Sequence, residues 1–253
     1  MNYIVFDLEF NQYFDFKTGK SSNLNPNCPL EIIQIGAIKL NDKFEIIDKF
    51  NSMIKPTFYK RVHPYVQKIT GITKEILSDK PFFNEVLNEF LKFIGKDDNI
   101  FCIWGFDDIK ALYNNIISHN IDTKLITNKY INVQAFATKY LNYENGNVIG
   151  LKNAVTELNI DIKNNFHDAF NDAEYTTKVF QVLRTNEKIP YDTFNIKDIL
   201  KKKCNKYITD TKLLIEYFNK KLNREITNEE FLIIECAYKL GKNRKFDYKN
   251  KKI

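Results

Sequence analysis

Residues 3–10 read YIVFDLEF, a run of aromatic and β-branched residues that favours a buried strand and closes on two acids. Side chains alternate along a strand, so Asp7 and Glu9 leave the same face about 6 to 7 Å apart. Two carboxylates on one face can converge on one cation. Beside Ile4, Val5, Phe6 and Leu8 they are costly, and a hard divalent ion is the usual way to offset their repulsion and lost hydration. The D-x-E pattern alone is weak. With 17 Asp and 15 Glu in 253 residues, composition predicts about one occurrence, and a second stands at Asp172 and Glu174.

Downstream of this strand, residues 11–29, NQYFDFKTGKSSNLNPNCP, have the Gly, Ser, Asn and Pro content of a loop. EIIQIGAIKL (31–40) and FEIIDKFNSMIKP (44–56), joined by the turn NDK, are expected to form a hairpin of two further strands. The pattern then alternates. A helix is expected over 82–95, a strand over 99–104, a helix over 108–118 and a short strand over 130–133, with helices following at 134–142, 150–158 and 169–183. This order, βββαβα and then mostly helices, describes an α/β fold in which helices cover a mixed β-sheet. Pro190 and its polar neighbours mark a boundary between a domain at 1–184 and a small helical appendage at 190–253. In the appendage, amphipathic segments lie near 195–203, 210–222 and 228–240, and Thr227 precedes Glu230 as in a capping box. The terminal KNRKFDYKNKKI is poor in apolar residues and expected to fray.

The net charge of +6 is unevenly placed. Residues 1–184 carry 21 Lys and Arg against 22 Asp and Glu, whereas residues 185–253 carry 17 against 10. A basic appendage beside a neutral domain suits contact with a polyanion, because its cations displace counterions condensed on phosphates. A chain rich in Asn, Lys and Ile throughout also accumulates lysine without any such partner, so both readings stand. The chain has no apolar run of transmembrane length and no leader pattern, so a soluble, cytoplasmic protein without a membrane partner is expected. Cys28, Cys102, Cys204 and Cys236 lie far apart, which argues against a zinc knot or a disulfide framework.

Two further segments carry chemistry. In WGFDDIKAL (104–112) a strand runs into a helix and places Asp107 and Asp108 at a strand end, where ligand sites of α/β sheets gather. Either acid can instead cap the helix. In FHDAFNDAEYTTKVF (166–180), His167 stands five positions before Asp172. The three histidines predict only about 0.2 such spacings by chance, so this match is the rarer one. At the start of a helix His167 can lean over a site to which Asp172 points, and a neutral imidazole is a suitable acceptor for a water proton. Read singly, His167 is a surface or capping histidine and Asp168 a helix cap. The joint order of all three elements is what points to a site.

In these residues the chain resembles the DEDDh exonucleases, the DnaQ-like exonuclease domains of the RNase H-like superfamily, over residues 1–184. FDLEF is similar to the first family motif, WGFDDIKAL to the second and HDAFNDAEYTTKVF to the third, while EIIQIGAIKL and KITGIT resemble the second strand and the T-G-I loop. The insertion after Glu9 and the Trp-Gly before the second motif resemble the branch of RNA 3′-end trimming and sporulation-inhibitor-like exonucleases. The resemblance implies 3′→5′ hydrolysis of single-stranded nucleic acid, RNA or DNA, to nucleoside 5′-monophosphates with two divalent ions, Mg²⁺ or Mn²⁺. Asp7 would bridge both ions, Glu9 and Asp172 would complete the nucleophile-side site, Asp108 would hold the second ion, and His167 would be the general base. Phe10 would wedge against the terminal nucleotide and the Thr70-Gly71-Ile72 loop would offer it backbone donors. The family's second acid stands four residues before a Leu, matching Asp108 and Leu112, yet Asp107 occupies a position often aromatic, so the choice between the two acids stays open. Trp104 either lines the cleft or packs in the core. A regulatory or scaffold protein of the same fold, or a nuclease of another polarity, is the competing reading.

Overall fold

The computed structural model describes residues 1–14, 16, 28–143, 148–184, 189–196 and 211–242. The chain divides into two compact units, Met1–Lys201 and Lys202–Ile253.

The first unit is a six-stranded mixed sheet. β1 (Asn2–Asn11), β2 (Glu31–Leu40) and β3 (Ile46–Met53) form an antiparallel meander, and β4 (Asn99–Ile103) and β5 (Lys129–Asn132) then add in parallel beside β1. β6 (Asp192–Thr193) closes that side antiparallel to β5, giving the order β3-β2-β1-β4-β5-β6. Alternation along β1 sorts the core. Ile4, Phe6 and Leu8 face one layer, where they meet α3 (Phe83–Ile94) and α4 (Asp107–Ser118). Tyr3 and Val5 face the other, with α5 (Val133–Tyr140), α6 (Leu151–Glu157) and α7 (Ala169–Leu183). β2 is almost wholly buried because it lies inside the sheet with helices over both faces. Asp7 and Glu9 share the parity of Tyr3 and Val5 and so face the α7 layer.

Two short helices, α1 (Pro64–Thr70) and α2 (Lys74–Leu77), interrupt a stretch that the sequence pattern left unassigned. His63 caps α1 by accepting a hydrogen bond from the Tyr65 amide, and Gly71 ends it at φ 73°, a conformation glycine adopts without a Cβ clash. Val66, Ile72 and Leu77 pack with Ile33 and Val62 as a satellite core.

The domain boundary differs from the expectation. Residues 189–196 belong with the sheet, not with the appendage: β6 pairs with β5, the Phe194 amide donates to Asn128 O at 3.1 Å, and the Phe194 ring meets Tyr113 at 4.9 Å. Pro190 fits because the chain re-enters the sheet as an edge strand, where proline is tolerated. In the second unit, α8 (Thr211–Leu222) and α9 (Asn228–Lys242) form the expected helices. The Thr227 hydroxyl accepts from the Glu230 amide at 3.2 Å while Glu230 accepts from the Thr227 amide at 2.9 Å, a reciprocal cap. Most of the loop expected over 11–29, the helix expected over 195–203 past residue 196, and the basic tail past residue 242 lie outside the described residues. Among the described residues, no helix is long and apolar enough to cross a membrane.

Candidate active site

The site begins where β1 outruns its partner. β4 pairs with β1 only as far as Val5, and the chain then turns through Trp104 and Gly105, which adopts φ 93°, into α4. Asp7 therefore looks into the crevice beyond the carboxyl end of β4, and Asp108, in the first turn of α4, comes over the same crevice. Backbone hydrogen bonds from Leu8 and from Asp108 itself hold the Asp108 carboxylate. Asp107 turns away: its side chain is 83% exposed and pairs with Lys110 Nζ at 2.8 Å. Asp108, the acid that the Leu112 spacing favours, is buried, so the two neighbours stand in different surroundings.

From the other side α7 is brought onto the sheet by Gly36. Gly36 is the cross-strand neighbour of Asp7, and a Cβ placed there would lie 2.2 Å from Phe170 N and 2.3 Å from Ala169 C. Only glycine lets the first turn of α7 approach this closely. Gln34, opposite Glu9, fixes the contact: its Nε2 donates to Asp168 Oδ2 at 2.9 Å and to Asn51 Oδ1 at 3.1 Å, while its Oε1 accepts from the Ala169 amide at 3.3 Å. Asp168 is the N-cap of α7 and accepts from the amides of Phe170 and Asn171. One turn on, Asp172 points back to the sheet. Its Oδ2 accepts from the His167 amide at 3.1 Å, and its Oδ1 is buried without a hydrogen-bond partner.

Ligand atoms of Glu9, His167 and Asp172 consequently all lie within 4.8 Å of one another. Burial, with mutual repulsion added, raises Asp7, Glu9, Asp108 and Asp172. Burial lifts Asp7 well above the carboxylate range, helped by the charges of Asp108, Asp172, Glu9 and Asp168. Burial, then Asp172 and Asp108, pushes Glu9 to about 8. Asp108 rises through burial and Asp107, and Asp172 reaches about 6 through burial, moderated by His167. Such a cluster attracts a divalent cation, which answers both the mutual repulsion and the orphaned Asp172 oxygen.

The remaining expected residues fall nearby. Thr70 and His167 line one polar cleft of about 540 Å³ with Gly71, Lys163 and Asn171. The Thr70 hydroxyl donates to Val66 O and accepts from the Ile72 amide, which fixes the T-G-I turn. Phe10 follows a β-bulge at Glu9/Phe10 and packs, partly exposed, on the α4-side core. Trp104 is half-buried against the α7-side core. Gln34, Gly36 and Tyr175 escaped the sequence reading. A glycine and an amide inside an otherwise apolar strand were the available signals for the first two.

The RNase T exonuclease family model matches residues 4–180 of this chain. The chain belongs to this family of DEDDh, DnaQ-like exonucleases. Among curated relatives of this DEDDh exonuclease, the PolC-type DNA polymerase III of Clostridium perfringens is 28% identical over 201 residues, covering 79% of this chain and 12% of that protein. The DNA polymerase III epsilon subunit of Buchnera aphidicola is 30% identical over 139 residues, 49% of this chain and 59% of its own length. This DEDDh exonuclease thus spans less than two thirds of either. Among solved structures, the nuclease domain of 3′hExo, a DEDDh family member bound to rAMP, superposes with a TM-score of 0.60 at 19% identity, over 74% of this chain and 97% of that one. That likeness shows the RNase H-like exonuclease fold.

Proposed function

We propose that this exonuclease removes nucleotides from the 3′ ends of single-stranded nucleic acid and releases nucleoside 5′-monophosphates. The observation that carries the reading is the convergence of Glu9, His167 and Asp172 within 4.8 Å, with Asp108, Glu9 and Asp172 close enough to Asp7 to raise its carboxyl. Asp7, Glu9, Asp108 and Asp172 would hold two divalent ions, Mg²⁺ or Mn²⁺, and the unpartnered Asp172 Oδ1 fits that assignment. When bound, such ions supply charge stabilisation to the attacking and leaving oxygens of an in-line phosphoryl displacement.

The chain's own groups do the rest. His167 stands exposed beside Glu9 and Asp172, so its imidazole can take a proton from an attacking water. The cleft bounded by Thr70 and Gly71 on one side and Lys163 to Asn171 on the other would receive the terminal nucleotide, with Phe10 beside its base. The rAMP bound by the 3′hExo nuclease domain and the polymerase names of the curated relatives are compatible with RNA and DNA ends respectively.

Single-stranded RNA and DNA carrying 3′ or 5′ labels, incubated with Mg²⁺, Mn²⁺ or chelator beside Asp7→Ala, test this. Metal-dependent shortening from the 3′ end, abolished in Asp7→Ala, is expected. Absence of digestion under every metal would favour the scaffold reading, and internal cuts would favour another polarity.

A further inference from the structure

His167 lies in the left-handed region at φ 66°, a conformation a non-glycine residue keeps only when its surroundings fix it. On its C-terminal side the fixing is done by the Asp168 cap and Gln34. On its N-terminal side the chain from α6 to α7 is largely exposed, and one buried hydroxyl gathers it. Tyr175 Oη accepts from the Lys163 amide at 3.0 Å and the Asn164 amide at 2.8 Å, and donates to Asn164 O at 2.9 Å. The Tyr175 ring is buried and stacks on Phe166, the residue before His167, at 4.7 Å. Four positions earlier on the same face of α7, Asn171 Nδ2 donates to Asn165 O at 3.0 Å.

We infer that Tyr175 is a positioning residue that acts through His167. Its hydroxyl ties the incoming strand to the helix that carries Asp172, so the imidazole and the carboxylate keep their relative placement. A phenylalanine would fill the same core space and keep the stack on Phe166, so packing does not explain the oxygen. The inference rests on His167 serving as the proton acceptor.

The test is a double-mutant cycle of Tyr175→Phe and His167→Ala on a short single-stranded oligonucleotide with Mn²⁺, with a melting curve for each protein. Tyr175→Phe is expected to lower kcat about tenfold or more while KM stays within about twofold, since a shift of about 1 Å in a catalytic group suffices for such losses. In the His167→Ala background the same change should cost less than about twofold, because the group it serves is gone. An equal loss in both backgrounds, or no loss beside an impaired His167→Ala, overturns the inference alone. A fully active His167→Ala overturns the general-base reading with it. Should Tyr175→Phe show no cooperative melting, the oxygen serves the fold as a whole rather than the placement of His167, and the inference is overturned.

Discussion

Asp107 and Asp108 are neighbours with opposite fates, and the difference is one of direction rather than composition. Asp107 opens onto solvent and pairs with Lys110, an exposed contact of little energetic weight. Asp108 is drawn inward, where its charge counts. Asp108→Asn is therefore expected to lower kcat about 10³-fold, in keeping with the several kcal/mol a metal contributes to the transition state, while Asp107→Asn stays within about twofold. Steady-state rates on a labelled oligonucleotide distinguish the two. The spacing of one helical step could not, because which of two adjacent residues faces a sheet depends on how the turn at Gly105 enters α4. The same crowding makes a second prediction. Glu9 keeps its proton up to about 8 when folded but only to its ordinary 4.5 when unfolded, so the folded state holds more protons in that window. Stability of the metal-free protein should then be greatest below the window and fall as pH rises through it. Melting temperatures in chelator are expected to drop from pH 5 to pH 8, and Mn²⁺ should restore more at pH 8 than at pH 5, because binding needs the deprotonated acids.

At the level of elements, the three main motifs were legible because each obeys a local rule: period two along β1, a strand running into a helix at Asp108, helical spacing through α7. What stayed hidden was the contact that joins them. The close approach of α7 to β2 depends on Gly36 lacking a side chain and on Gln34 bridging two elements 135 residues apart, and no local periodicity reports either. Gly36→Ala must push backbone aside and is expected to cost about 3 kcal/mol, within the range for overpacking. It should lower the melting temperature by about 5 °C or more and reduce activity beyond the loss of folded protein, since Asp172 moves with α7. Differential scanning calorimetry alongside activity normalised to folded fraction checks both. α1 and α2 were missed for another reason: helices of 7 and 4 residues are too short to show a 3.6-residue period.

For the molecule as a whole, the charge asymmetry raises the question whether the second unit helps to hold substrate, and a deletion answers it. Deleting residues 202–253 removes all of the excess positive charge and leaves the sheet intact. Hydrolysis of a dinucleotide is expected to be unchanged by that deletion, while KM for a long strand rises and its salt dependence flattens, as loss of phosphate contacts requires. Equal losses on both substrates would make the second unit structural instead. Composition placed the boundary near Pro190, but β6 moves it, and this short strand matters out of proportion to its two residues. A protein cut at the proline would present β5 as an unprotected rim and bare the aromatic surface of Tyr113, Tyr130 and Phe106 on which Phe194 rests. Such a fragment invites self-association, so a soluble catalytic piece for biochemical work has to keep its chain through residue 196.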